Sequence, residues 1–87
     1  MFEVFLTNRA EKGIKSLDEI KLRRRIEEAI DALNHTYFPK RYDIKKLKGV
    51  KNTYRLRIGD YRIIYTANFN NSQIFVLSIT PRKKTFY

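Results

Sequence analysis

The sequence predicts an α+β domain: one strand, a helical hairpin, then a three-stranded antiparallel meander, with the helices on one face of a small sheet. Three observations predict it. Residues 54–65 read Tyr-Arg-Leu-Arg-Ile-Gly-Asp-Tyr-Arg-Ile-Ile-Tyr and alternate apolar with basic on either side of Gly59-Asp60, as two half-buried strands joined by a tight turn would. Leu22, Ile26, Ala29, Ile30, Leu33 and Tyr37 recur at the spacing of one helical face. A length of 87 residues fits one small domain, expected to span residues 1–87.

Residues 2–6, rich in Phe and Val, predict a short first strand. Thr7 or Asn8 can cap a first helix, and Asn8 with Glu11 has the form of a capping box. Ala10, Ile14 and Leu17 follow at helical spacing, with Gly13 as a weak point. Ser16-Leu17-Asp18-Glu19 repeats the capping-box pattern and predicts a second helix from about residue 17 to 36, stopped near Pro39. Residues 38–51 form a basic connection. Three strands are expected near residues 52–58, 61–68 and 73–80, the last two separated by the turn sequence Asn68-Phe69-Asn70-Asn71-Ser72.

Glycine at the first turn position suits a type II′ hairpin. In that register Ile58 faces Tyr61, Arg57 faces Arg62, Leu56 faces Ile63, Arg55 faces Ile64 and Tyr54 faces Tyr65. Side chains alternate between the two faces of a strand. Tyr54, Leu56, Ile58, Tyr61, Ile63 and Tyr65 therefore share an apolar face that the helices cover, and Arg55, Arg57 and Arg62 share the open one. Like charges directly opposite each other destabilise a sheet, so Arg57 against Arg62 is not a choice made for folding. Converging guanidiniums, with a permanent charge and a rigid fork of donors, point to a phosphate ligand.

The formal net charge of +10 predicts a polyanionic partner: nucleic acid, an acidic protein or an anionic membrane. Cysteine is absent, which excludes disulfides and thiolate metal sites and agrees with a reducing cytoplasm. No apolar run reaches the length of a membrane span, and the first residues lack the form of a secretory signal. The carboxylates are scattered, so no metal or other cofactor is expected. A single histidine, His35, excludes a histidine-pair ribonuclease and fits a helix end.

The motif Leu47-Lys48-Gly49, the hairpin Tyr54–Tyr65, the apolar strand Ile74-Phe75-Val76-Leu77-Ser78-Ile79, then Arg82 and Tyr87, together resemble the RelE/ParE superfamily of toxins from toxin–antitoxin modules. The resemblance covers essentially the whole chain. RelE-type members cut messenger RNA in the ribosomal A site, whereas ParE-type members share the fold, inhibit DNA gyrase and lack the ribonuclease residues. Carried onto this sequence, the RelE-type catalytic set is Arg55, Arg57, Arg62, Arg82 and Tyr87, which places the chain nearer the RelE branch. The resemblance also implies a cognate RelB-like antitoxin with an acidic or apolar helix, the ribosome and messenger RNA as partners, and operator DNA contacted through the antitoxin complex.

Cleavage without a metal can use the 2′-hydroxyl of the RNA, which attacks the adjacent phosphorus. It needs charge stabilisation, a base and an acid. Arg55, Arg57, Arg62 and Arg82 can supply the first. Tyr87 is the candidate base, since nearby cations favour a phenolate. Some relatives carry lysine at the positions of Arg55 and Arg57. Arginine does not release a proton near neutrality, which leaves the acid unassigned. Lys45, Lys46, Lys48, Lys51, Lys83 and Lys84 are candidates for RNA phosphate contacts, with plain solvation the competing role. Arg23-Arg24-Arg25 is expected to form a solvated helix face. The competing functions are ParE-like inhibition of a topoisomerase by binding alone, and a degenerate toxin acting as a basic nucleic-acid-binding module.

Overall fold

Gly59 turns the hairpin with φ +54°, and Asp60 stays out of the left-handed region, as a type II′ turn requires. The computed structural model describes residues 1–82. The elements run β1 (Glu3–Leu6), α1 (Asn8–Lys15), α2 (Ile20–Ala32), β2 (Asp43–Lys46), β3 (Thr53–Ile58), β4 (Tyr61–Asn68) and β5 (Gln73–Pro81). They build one five-stranded sheet in the order β1-β5-β4-β3-β2. The meander β3-β4-β5 is antiparallel, β2 adds antiparallel to β3, and β1 pairs parallel to β5. The hairpin register is the expected one at every pair from Tyr54↔Tyr65 to Ile58↔Tyr61.

The expected basic connection at residues 38–51 contains a further strand, β2. Its four residues, Asp-Ile-Lys-Lys, hold a single apolar side chain. Ile44 lies opposite Leu56 and packs against the core. A strand on the sheet edge buries too little to show an alternating pattern in sequence.

The second helix is shorter than the expected residues 17–36. Ser16 does not start it; it ends α1, and its Oγ donates to the Gly13 carbonyl at 2.9 Å. Glu19 is the N-cap of α2 and makes no side-chain cap bond. At the other end, the Thr36 hydroxyl accepts from Phe38 N at 3.1 Å, so Tyr37 lies in a turn rather than on the helix. The cap of α1 is Thr7, which accepts from Ala10 N at 3.2 Å; Asn8 is the first helical residue.

One layer of helices covers one sheet face. Leu17, Ile26, Ala29, Ile30 and Leu33 pack with Leu56, Ile58, Ile63, Tyr65, Ile74, Val76 and Ile79. Gly13 is where α1 meets β5, because a Cβ at this position would overlap the Ile79 carbonyl oxygen. The glycine that weakens the helix in sequence is thus what lets it approach the sheet. A register shift between Ile64 and Tyr65 skips Leu77 on β5. Ile74 and Val76 lie on the helix-covered face before this bulge and Ile79 after it, and such a shift of alternation is what one extra residue produces. Thr7 pins the bulge, its Oγ1 donating to the Leu77 carbonyl at 2.9 Å. No helix among the described residues is long and apolar enough to cross a membrane.

Candidate nucleic-acid interface

The open sheet face carries the arginines in two cross-strand rows. Asp43, Arg57, Arg62 and Thr80 follow one another across β2, β3, β4 and β5; Lys45, Arg55, Ile64 and Ser78 form the adjacent row. Directly paired residues project from the same face. Arg55, Arg57 and Arg62 are therefore neighbours, with Lys45 beside Arg55. Ile64 is buried although no helix lies over it. Arg55, its register partner, has a side chain only 12% exposed, and an arginine stem can cover an apolar neighbour while its head stays available.

Asp43 was absent from the expected site and is its main electrostatic partner. Its Oδ1 accepts from Arg55 Nη2 at 3.1 Å, and its Oδ2 lies 3.7 Å from Arg57 Nε. One carboxylate thus stands between two guanidiniums and offsets part of the repulsion in the Arg57–Arg62 pair. The Nε atoms of Arg55 and Arg57 are buried and make no hydrogen bond among the described residues.

Arg82 lies at the hairpin turn. Its backbone N–H donates to the Asp60 carbonyl at 2.6 Å, which fixes it where β4 begins, and its side chain is exposed. Arg25 also reaches this turn, since a Cβ on Gly59 would lie 3.8 Å from its Nη1. It was expected on a solvated helix face, in reach of ribosomal RNA; its proximity to the turn depends on how α2 crosses the sheet, which helical spacing does not reveal.

The lysines separate into two groups. Lys45 shares the arginine face. Lys46, paired with Tyr54, projects from the opposite face, and with Lys48 and Lys51 it lines an open groove of about 580 Å³ around the β2–β3 connection. Lys83, Lys84 and Tyr87 lie outside the described residues.

The tyrosines of the hairpin are structural. Tyr65 is fully buried, stacks on Tyr54 with ring centroids 5.4 Å apart, and donates its hydroxyl to the Tyr37 carbonyl at 2.7 Å. Burial pushes the ionisation of Tyr65 well above the ordinary phenol range, and the neighbouring Tyr54 and Tyr37 push it further. Burial and then Tyr37 shift Tyr54 the same way. Neither can serve as a phenolate base near neutrality. Among the described residues no three His, Asp or Glu side chains gather to hold a metal.

Two helices thus back one face of the sheet, and the arginines occupy the other. The ParE toxin family of type II toxin–antitoxin systems, parDE, matches residues 4–86, and the chain belongs to it, within the RelE/ParE superfamily. Over 86 residues it is 33% identical to "Putative toxin RelE1" of Methanocaldococcus jannaschii, covering 98% of this chain and 94% of that protein. The toxin in the crystal structure of the archaeal RelE–RelB complex from Pyrococcus horikoshii superposes with a TM-score of 0.83 at 32% identity, covering 97% of this chain and 98% of that one. The toxin of the RelB–RelE complex from Methanococcus jannaschii gives a TM-score of 0.77 at 29% identity, with 91% of each chain covered. The protein is a toxin of the RelBE type.

Proposed function

We propose that this toxin is a metal-independent endoribonuclease that cuts messenger RNA in the ribosomal A site and so arrests translation in the cytoplasm. The observation that carries this reading is the pairing of Arg57 with Arg62 beside Arg55 on an uncovered sheet face. That arrangement costs folding energy and is suited to binding a phosphate that gains charge during reaction. In the reaction, the 2′-oxygen forms a bond to the adjacent phosphorus and the bond from phosphorus to the 5′-oxygen breaks. The products are a 2′,3′-cyclic phosphate and a 5′-hydroxyl. Arg55, Arg57, Arg62 and Arg82 stabilise the phosphorane. Tyr87 accepts the 2′ proton. The 5′-oxygen takes its proton from a group other than these arginines. Ribosomal positioning of the strand for in-line attack supplies several kcal/mol of the acceleration.

The solved relatives named above are toxin complexes with RelB, and we extend that pairing to this chain. Its partner is a RelB-like antitoxin that neutralises the basic face, and the complex, through the antitoxin, contacts operator DNA. Primer extension on messenger RNA translated in vitro tests the enzymatic reading, with wild type and Arg62→Ala each assayed with and without ribosomes. Cuts that need ribosomes and vanish in the variant are expected. A second reading, ParE-like inhibition of a topoisomerase by binding alone, is favoured by the description of the matching family. Absence of cuts by folded, antitoxin-free protein, together with inhibition of gyrase supercoiling, would establish it.

A further inference from the structure

The open sheet face does not end at the arginines. Toward the start of β5 it carries Phe75, which is in register with Thr66 on β4 and with Phe5 on β1. The Phe5 and Phe75 rings stack with centroids 5.4 Å apart and planes inclined by 20°. Phe5 is among the exposed large hydrophobics of the chain, although its strand neighbours Val4 and Leu6 pack into the core. On the other side of Phe75 lies an open groove of about 540 Å³, lined by Lys51, Asn52, Thr66, Asn68 and Asn70 as well as by Phe75 itself. This size falls within the ~300–1,000 Å³ range of small-ligand sites. An aromatic wall, several side-chain amides and one ammonium are the donors, acceptors and stacking surface that a nucleotide uses.

The sheet fixes the spacing to the arginines. Arg55 pairs with Ile64, and Thr66, the register partner of Phe75, lies two residues further along β4. Strand spacing and rise place Phe75 roughly 12 Å from Arg55, about two nucleotides of extended single strand.

We propose that the groove beside Phe75 is a nucleobase subsite for single-stranded RNA. A base about two nucleotides from the phosphate at the arginine rows stacks on Phe75. Phe5 backs the ring, and Lys51 meets the backbone at the rim. Net charge and the adjacent arginine rows select a nucleic acid over an apolar protein segment as the occupant. This inference rests on the RNA-binding reading above and adds a recognition element outside the cleavage residues.

The test uses a short RNA made uncleavable by 2′-O-methylation, with the fluorescent base 2-aminopurine placed at successive positions, titrated at low salt into wild-type protein, Phe75→Leu and Arg55→Ala. Leucine keeps an apolar side chain in the sheet, and circular dichroism confirms that each variant is folded. The expected result is quenching at one position only, lost in Phe75→Leu, with affinity reduced by ~10-fold and the salt dependence unchanged. Arg55→Ala should instead reduce the salt dependence and keep the quenched position. RNA binding that depends on Arg55 but is indifferent to Phe75→Leu would overturn the subsite, leave RNA binding intact, and reassign the aromatic face to a protein partner. No binding by the wild type would overturn the RNA-binding reading and the subsite together.

Discussion

The carboxylate of Asp43 bonds Arg55 at 3.1 Å, diagonally across the sheet, while its own register partner is Arg57. The acid is thus shared between two of the proposed phosphate ligands. Asp43 and Arg57 are 57% and 38% exposed in their side chains, so solvent screens the interaction. Asp43→Asn should change stability by less than ~1 kcal/mol. It should tighten binding of an uncleavable RNA oligonucleotide several-fold at low salt, because one negative charge leaves the phosphate face. Fluorescence anisotropy over a salt series checks this, and weaker binding would mean that Asp43 is needed to aim the arginines.

Tyr65 links stability to alkaline pH. Its ionisation is raised in the folded protein by burial and by its tyrosine neighbours, so the native state holds the proton where the unfolded chain releases it, near pH 10. The stabilisation is fully present below about pH 10 and declines as pH rises beyond it. Tyr65→Phe should lower the melting temperature at pH 7 through loss of the bond to the Tyr37 carbonyl, worth about 1 kcal/mol. It should also flatten the fall above about pH 10, where the tyrosine of the unfolded chain ionises and the buried one does not. Melting curves across that range decide the matter.

Gly13→Ala sets two effects against each other. Alanine favours a helix over glycine by about 1 kcal/mol, but its methyl would overlap the Ile79 carbonyl, and overpacking costs ~1–3 kcal/mol or more. The main-chain atom cannot swing aside as a side chain can. A net loss of ~1–2 kcal/mol in urea unfolding is expected, and a gain would show that α1 slides on β5 at little cost.

The lysine groove should act through charge alone. Replacing Lys46, Lys48 and Lys51 by alanine should leave the positions of RNA cuts unchanged. The slope of log affinity against log salt should fall by up to about 2 for a single strand. A changed cut pattern would place one of these lysines in the chemistry.

The hairpin was legible residue by residue, because its three tyrosines, four aliphatics and three arginines alternate, Ile64 excepted, around a glycine that must turn. Its register then fixed the arginine face. The edge strand β2 was not legible, since only Ile44 reports burial, and with it went the position of Asp43 opposite Arg57. The capping signal at Ser16 was real but belonged to the end of α1 rather than the start of α2. A serine can bond backbone groups at either end of a helix, and sequence spacing does not choose between them. The pairing of β1 with β5 and the approach of Arg25 to Gly59 arise from packing between distant segments, to which periodicity is blind.

The parallel pairing of β1 with β5 has a consequence for the newborn toxin. β1 and α1 are translated first, yet the carbonyls that hold Thr7, those of Val76 and Leu77, and the strand on which Gly13 rests are translated after every other element. During synthesis the early segments wait: the arginine hairpin lacks its neighbouring strand β5, and α1 lacks the strand on which it packs. Such long-range closure is slow compared with local folding. The sheet that carries the basic face is therefore complete only once β5 has been made and has paired with both β4 and β1.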